Sequence, residues 1–181
     1  SRELEIKVRN ELGVDQQVLT PKEIHDLEPN IKPIYHGGVY YQHGRHARNP
    51  KRILLKLYDL FLKKGGKFLK MNIKDINFDD EKPVIKAETQ SFLFDKIVIA
   101  CGSFSKKLTD NLDEKIPLDT ERGYHVHFKD CDHLLSRPVI FQNRGFGITP
   151  MEQGLRVVGT VEFGGLDNPL SKSRVKNLIN N

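Results

Sequence analysis

The sequence predicts an α+β fold, a mainly antiparallel mixed sheet flanked by three or four helices. Three observations carry that expectation. A 3.6-residue apolar stripe (Ile53, Leu54, Leu57, Leu60, Phe61) stands between Asn49-Pro50 and Gly65-Gly66. From Lys67 to Ala100 the apolar period changes to two. Beyond residue 120, further short alternating runs are punctuated by glycines, with no helix-sized segment between most of them.

The elements follow in order. Leu4, Val8 and Leu12 recur at helical spacing and Gly13 is a plausible stop. Val18-Leu19 is a short strand. Thr20-Pro21-Lys22-Glu23 has the form of a capping box with proline at the first helical position, and the helix it opens ends before Pro29. Gly37-Gly38 leads into a strand at Val39-Tyr40-Tyr41. Asn49-Pro50 is a second cap-plus-proline start, and the helix it opens is the clearest element in the chain. Strands are expected over residues 68–78, 84–87 and 92–100, with a charged hairpin tip at Asp79-Asp80-Glu81-Lys82-Pro83. A helix covers residues 103–111. Strands follow at 123–128, 139–142, 146–149 and 155–161, with Gly154 as the turn joining the last two. Pro169 and Ser171 open a last helix with Val175, Leu178 and Ile179 as its stripe.

The chain has 181 residues, enough for one domain with a real core. Its formal charge of +5 comes from 29 basic and 24 acidic residues, interspersed as on an ordinary solvated surface. The lysines at 63, 64, 67 and 70 cluster around a helix end, where they complement its dipole. No interleaved aromatic motif of an RNA-binding sheet is present, so no nucleic-acid partner is expected. No apolar run reaches the length of a membrane span. The two cysteines, Cys101 and Cys131, give no disulfide framework and point to a reducing compartment; Cys101 is read as a small core residue.

The stretch around residues 94–105 (FDKIVIACGSFS) is the most informative. Ile97-Val98-Ile99 has the form of a strand buried on both faces. It stops at Ala100-Cys101-Gly102, small residues that let a flat or charged group approach the backbone. Ser103 and Ser105 then stand where a helix start would face the same spot. This is the pattern of a dinucleotide docking point. No strand followed by G-x-G-x-x-G precedes it, so the pyrophosphate grip is missing. Half of a cofactor site points to a piece of a larger enzyme.

Other residues carry weaker signals. In Gly123-Tyr124-His125-Val126-His127, Tyr124 points to one face of a strand and both histidines to the other. His125 with His127, and His43 with His46, are pairs that lack a third and fourth metal ligand, so no metal is expected. Glu162 is a lone carboxylate near a strand end. No Ser-His-Asp order, phosphate loop or glycosidase acid pair is evident, and no side chain is assigned as catalytic.

Several segments together resemble the FAD-dependent D-amino acid dehydrogenase and oxidase superfamily, which includes glycine oxidase. They are the Leu27-Glu28-Pro29 turn, Gly37-Gly38-Val39-Tyr40, Asn49-Pro50, IVIACGSFS, and residues 117–125 (PLDTERGYH). The most specific is ITPMEQGLRVVGTVEFGGLDNP. The resemblance is to the dehydrogenase branch and covers nearly all of the chain.

It implies that residues 1–181 are a single substrate or cap domain, the central part of an enzyme whose Rossmann-type FAD half is absent. Ala100, Cys101 and Gly102 match the turn beside the FAD, and Ile73 the position meeting its adenine end. Tyr124, His125, Thr149 and Met151 match the substrate pocket. The implied reaction converts a D-amino acid to a 2-oxo acid and ammonia, with hydride transfer to the flavin. Oxidase members place an arginine where this chain has Met151, which favours the dehydrogenase branch or another substrate. The alternatives are a domain of an FAD-dependent 2-hydroxy-acid dehydrogenase and a non-catalytic binding module. The fragment alone is expected neither to retain FAD nor to turn over. Its expected partners are an amino acid substrate and the missing FAD-binding half, with self-association through the exposed interdomain face. The parent is expected in the cytoplasm or on the cytoplasmic face of the inner membrane.

Overall fold

The computed structural model describes residues 2–180. Its described residues form two compact units. One takes those up to Arg52, His125–Gly159 and those from Val175 on; the other takes Ile53–Tyr124 and Thr160–Arg174. The α+β class holds, with five α-helices and antiparallel strands among the described residues. The strands are distributed over three sheets of two, three and four strands.

In the first unit, α1 (Arg2–Glu11) stops where Gly13 turns left-handed at φ 71°. The Val14 amide donates to the Arg9 carbonyl at 2.9 Å, closing the helix end as glycine permits. Strand β1 (Gln17–Leu19) pairs antiparallel with β2 (Gly38–Tyr40). Between them α2 (Pro21–Leu27) carries the complete capping box. The Glu23 amide donates to Thr20 Oγ1 at 3.3 Å, and the Thr20 amide donates to the Glu23 carboxylate at 2.7 Å.

Helix α3 (Pro50–Lys63) starts where the sequence places it, since Asn49 Oδ1 accepts from the Arg52 amide at 2.9 Å. Its end is set by Gly65 at φ 85°, and Gly66 lies so close to the Phe61 ring that a Cβ there would stand 2.4 Å from it. No residue of α3 is buried. Its stripe residues Ile53, Leu54, Leu57, Leu60 and Phe61 are all exposed, where the sequence pattern leads one to expect a core face.

In the second unit, β3 (Ile73–Asp79), β4 (Lys82–Ala87) and β5 (Ser91–Leu93) form an antiparallel meander. Its first hairpin turns at Asp80 and Glu81, both with positive φ as a tight two-residue turn requires. The strand expected to run on to residue 100 ends at Leu93. Residues 94–100 join no sheet, and Val98 is 90% exposed. A doubly buried strand needs neighbours on both edges and cover on both faces, and the described residues provide neither. Cys101, read as a core residue, is exposed for the same reason; Cys131 is half-buried, and both are free thiols. The expected helix over 103–111 is broken into a 3₁₀ turn at Gly102–Phe104, α4 (Ser105–Thr109) and a second 3₁₀ turn at Asp110–Leu112.

The four-stranded sheet runs in the order β6 (Arg122–Lys129), β9 (Gly154–Glu162), β8 (Phe146–Met151), β7 (Val139–Phe141). Antiparallel pairing puts Phe146, Ile148 and Pro150 opposite Gly159, Val157 and Leu155 on one face. Phe146, Leu155 and Val157 are buried there. Leu178 of α5 (Lys172–Asn180) is also buried, with a methyl 3.1 Å from where a Gly159 Cβ would stand. The alternate positions, Gly147, Thr149 and Met151 facing Val158, Arg156 and Gly154, form the opposite face.

The expected hairpin turns at residues 152 and 153, one step before Gly154, which opens β9 opposite Met151 and has a steric reason to be glycine. Its φ is 132°, and a Cβ there would sit 2.0 Å from the Phe128 carbonyl oxygen. Gly154→Ala is therefore expected to destabilise the protein by about 2 kcal/mol or more in urea unfolding. The cap of α2 gives a pH-dependent counterpart. The backbone hydrogen bond from Thr20, then its hydroxyl, hold the Glu23 carboxyl below its ordinary value of 4.5. A carboxylate favoured in the folded state stabilises fully above that ordinary value, and the contribution is lost as pH falls through the lowered one. In NMR the Thr20 amide shift is expected to titrate with a midpoint below 4.5, and Glu23→Gln is expected to abolish that titration.

Candidate functional site

Within the second unit, the residues matched to a cofactor lie on open surface. Ala100, Cys101 and Gly102 are exposed, and residues 97–100 make no hydrogen bond with any described residue. Gly102 has φ 56° with open space where a Cβ would be. The Cys101 amide donates to Ser105 Oγ at 3.1 Å, which folds the small-residue turn against the start of α4. The turn thus keeps the backbone accessible to a flat group, as its composition implies. Ile73, half-buried, opens β3 opposite Ala87 and stands just before a register shift.

Tyr124 is also in the second unit and is 6% exposed. Its hydroxyl donates a short hydrogen bond to Glu162 and accepts one from the Ser171 amide at 3.0 Å. Arg122 stands 3.7 Å from the same carboxylate and donates to the carbonyls of Leu166, Asn168 and Pro169. The sequence offered Glu162 as a lone carboxylate. The structure gives it a hydroxyl and a guanidinium, so its charge is committed to holding the 166–171 loop.

His125, Thr149 and Met151 belong to the first unit. His125 is exposed, as the strand alternation with buried Tyr124 requires. Thr149 is half-buried and lies directly across from Arg156. Met151 is buried beside Gly154 at the hairpin end. On the same sheet face, Gly147 lies between Ile140 and Val158, with side-chain atoms of both 3.6–3.7 Å from its Cβ position. Ile140 is 78% and Val158 39% exposed, so this is an exposed apolar patch on the sheet.

His43 and His46 separate. His43 pairs with Asp15 at 3.0 Å, while His46 Nε2 meets the Pro150 carbonyl at 3.1 Å. Among the described residues no group of three histidine, cysteine or acidic side chains can hold a metal. A cavity of about 280 Å³ opens beside His46, Arg48, Asp132 and His133, where Arg48 is already neutralised by Asp132 at 3.1 Å.

Two features have no signal in a single sequence. Glu28, in the Leu27-Glu28-Pro29 turn, is 4% exposed. It accepts from the Ser136 amide and hydroxyl and from Arg137 Nε at 2.9 Å, while the Arg137 guanidinium sits 5.3 Å above the Tyr40 ring. The second is Arg156, whose Nε is buried without a partner. An arginine between Leu155 and Val157 in a strand is the only trace it leaves in the sequence.

The DAO family model, described as FAD dependent oxidoreductase, matches residues 1–181. A D-amino-acid oxidase of Bradyrhizobium diazoefficiens is 29% identical over 162 residues, 89% of this chain and 38% of that protein. A D-amino acid dehydrogenase of Neisseria gonorrhoeae is 26% identical over 96% of this chain and 43% of its own length. Among solved structures, glycine oxidase from Geobacillus kaustophilus superposes with a TM-score of 0.81 at 21% identity, over 95% of this chain and 46% of that one. L-proline dehydrogenase from P. horikoshii superposes with a TM-score of 0.72 at 14% identity, over 97% and 49%. The chain thus spans less than half the length of these relatives. Among its described residues no helix is long and apolar enough to cross a membrane.

The polar clusters are testable as fold determinants. Tyr124→Phe removes the hydroxyl between Glu162 and Ser171 and is expected to cost about 1–3 kcal/mol, as is Glu28→Ala, which strands Arg137 and the Ser136 amide. Denaturant unfolding of each variant checks this.

Proposed function

The chain belongs to the DAO family of FAD-dependent oxidoreductases, and we propose that residues 1–181 are the substrate-side portion of an enzyme that oxidises D-amino acids to 2-oxo acids and ammonia. The carrying observation is the family match along the whole chain, joined to a D-amino-acid oxidase relative over 89% of it. The exposed small-residue turn supports the cofactor side of this reading. Ala100, Cys101 and Gly102 would lie against the FAD, since no side chain there blocks approach to the backbone. Ile73 would meet its adenine end. The group supplies hydride acceptance when bound.

The remaining work falls to this chain's own residues. In this reading, Thr149 and Met151 line the substrate face, and His125 stands on the neighbouring strand β6. Ile140 and Val158 provide apolar area that excludes water from a bound side chain. Glu162 is held by Tyr124 and Arg122 in the other unit. Loss of the Cα hydrogen needs no side-chain base where the amine arrives neutral. The resulting imino acid hydrolyses to the 2-oxo acid and ammonia.

The exposed stripe of α3 and the segment at 97–99, which joins no sheet and leaves Val98 90% exposed, support a missing partner surface. We place there the portion of the family fold that this chain does not span. Exposed apolar area of this kind also favours self-association of the isolated piece.

The test is to purify the full-length gene product and assay it with D-amino acids, their L-isomers, glycine and 2-hydroxy acids. Bound flavin and turnover of D-amino acids, with 2-oxo acid and ammonia formed in equal amounts, are expected. Turnover of 2-hydroxy acids alone overturns the substrate assignment. Residues 1–181 by themselves are expected to leave the FAD absorbance spectrum unshifted.

A further inference from the structure

Strand β9 does not keep one phase along its length. Leu155 and Val157 are buried and Val158 is 39% exposed, as alternation requires. Val161, three residues after Val158, is exposed as well, at 42%. Residues on one face of a strand stand an even number apart, so the phase shifts by one between these two valines. The shift falls at Thr160, whose φ is 58°. Pairing with β8 ends just before it, at Gly159 opposite Phe146.

Threonine is poorly suited to that conformation. The other non-glycine residues with positive φ among the described residues are Asp80, Glu81, Asp113 and Asp130, all acidic and all in turns. Thr160 stands in a strand and is β-branched, so its backbone is strained. Its Oγ1 is also shut off from solvent with no hydrogen-bond partner.

What holds the shifted phase lies two residues on, within the same unit. The Glu162 carboxylate accepts from the Tyr124 hydroxyl and stands 3.7 Å from Arg122. The same two residues hold the loop that follows, through the Ser171 amide and the carbonyls of Leu166, Asn168 and Pro169. With Thr160 extended, alternation would move Glu162 to the exposed phase of Val158 and Val161 to the phase of Leu155 and Val157. One arrangement pairs a carboxylate and strains a threonine. The other relaxes the threonine, turns a valine inward and gives up the pair. They are discrete, because a strand has no phase between its two faces.

We propose that residues 160–171 are a two-state strap, with Thr160 as its hinge and Glu162 as its catch. In the released state Thr160 is extended, Val161 faces inward, and Tyr124 and Arg122 let go of Glu162 and of the loop. Tyr124 is among the residues matched to the substrate pocket, so the state of the strap decides whether its hydroxyl is free to meet a ligand. That consequence rests on the proposed function; the strap itself does not.

The test is hydrogen exchange by mass spectrometry on the full-length protein, comparing peptides over 160–171 with those over Phe146–Met151. In wild-type protein the strap is expected to exchange faster than Phe146–Met151, as a segment that opens locally does. Thr160→Gly accepts positive φ without strain and is expected to slow exchange in the strap about 3–30-fold. Val161→Thr removes apolar area that only the released state buries and is expected to slow it about 3–10-fold. Glu162→Gln is expected to speed it about 10-fold or more.

Wild-type strap peptides as protected as Phe146–Met151 overturn the proposal, since the segment then opens only with the whole fold. Unchanged or faster strap exchange in Thr160→Gly overturns it too. Val161→Thr that leaves strap exchange unchanged or speeds it shows a valine that supports the closed form or neither, which also overturns it. These two variants decide the matter even where Glu162→Gln does not fold. No readout depends on flavin or turnover, so failure of the proposed function leaves the test standing.

Discussion

The register between Phe146–Met151 and Gly154–Glu162 is the constraint on which both faces of the four-stranded sheet, the proposed substrate face included, depend. Pairing from Phe146↔Gly159 to Met151↔Gly154 sends Phe146, Leu155 and Val157 to the buried face and Thr149, Arg156 and Val158 to the other. A slip of one residue would exchange the two sets and bury the arginine where the core now sits. Gly154 pins the register, because only a residue without Cβ passes the Phe128 carbonyl there. Glu152, in the turn, is held from outside the sheet. Its amide donates to the Arg48 carbonyl, and its carboxylate meets Asn49 and, at 3.0 Å, Arg52. The hairpin and the cap of α3 are thus fixed together.

Charge is handled by a common device in both units. Glu28 with Arg137, and Glu162 with Arg122, are carboxylate–guanidinium pairs in which the carboxylate also accepts from a hydroxyl, of Ser136 and of Tyr124; Glu28 accepts from the Ser136 amide as well, whereas the Ser171 amide donates to the Tyr124 hydroxyl. Each ties a loop distant in sequence to a strand or helix end. Breaking either pair leaves a desolvated charge, which is why such pairs act as fold determinants even when their net contribution is small.

The apolar residues are arranged differently. Helix α3 carries a broad apolar stripe with none of its residues buried, and Ile97-Val98-Ile99 has the composition of a central strand without a sheet. Curated relatives of the same family are more than twice as long as the matched region. Both segments read as elements whose hydrogen-bonding and packing partners belong to the remainder of that fold.

Local chemistry was legible in the sequence. Thr20-Pro21-Lys22-Glu23, Asn49-Pro50, Gly13, Gly65 and Gly154 act as their residue types dictate, because caps and turns are decided within a few residues. The alternation that buries Tyr124 and exposes His125 was legible for the same reason. The resemblance of whole segments gave the family. What depended on partners distant in the chain could not be read in this way. The sequence pattern made 97–99 a buried strand and Cys101 a core residue, and both failed because burial is supplied by neighbours, not by composition. Glu28 becomes a buried ion only when Ser136 and Arg137 reach it. Arg156 Nε is left without a hydrogen-bond partner among the described residues only once the ladder has set Arg156 opposite Thr149. Hydrogen bonding along the chain was written in the sequence; pairing across it was settled by the tertiary fold, since electrostatic and packing energies depend on distances that sequence separation does not encode.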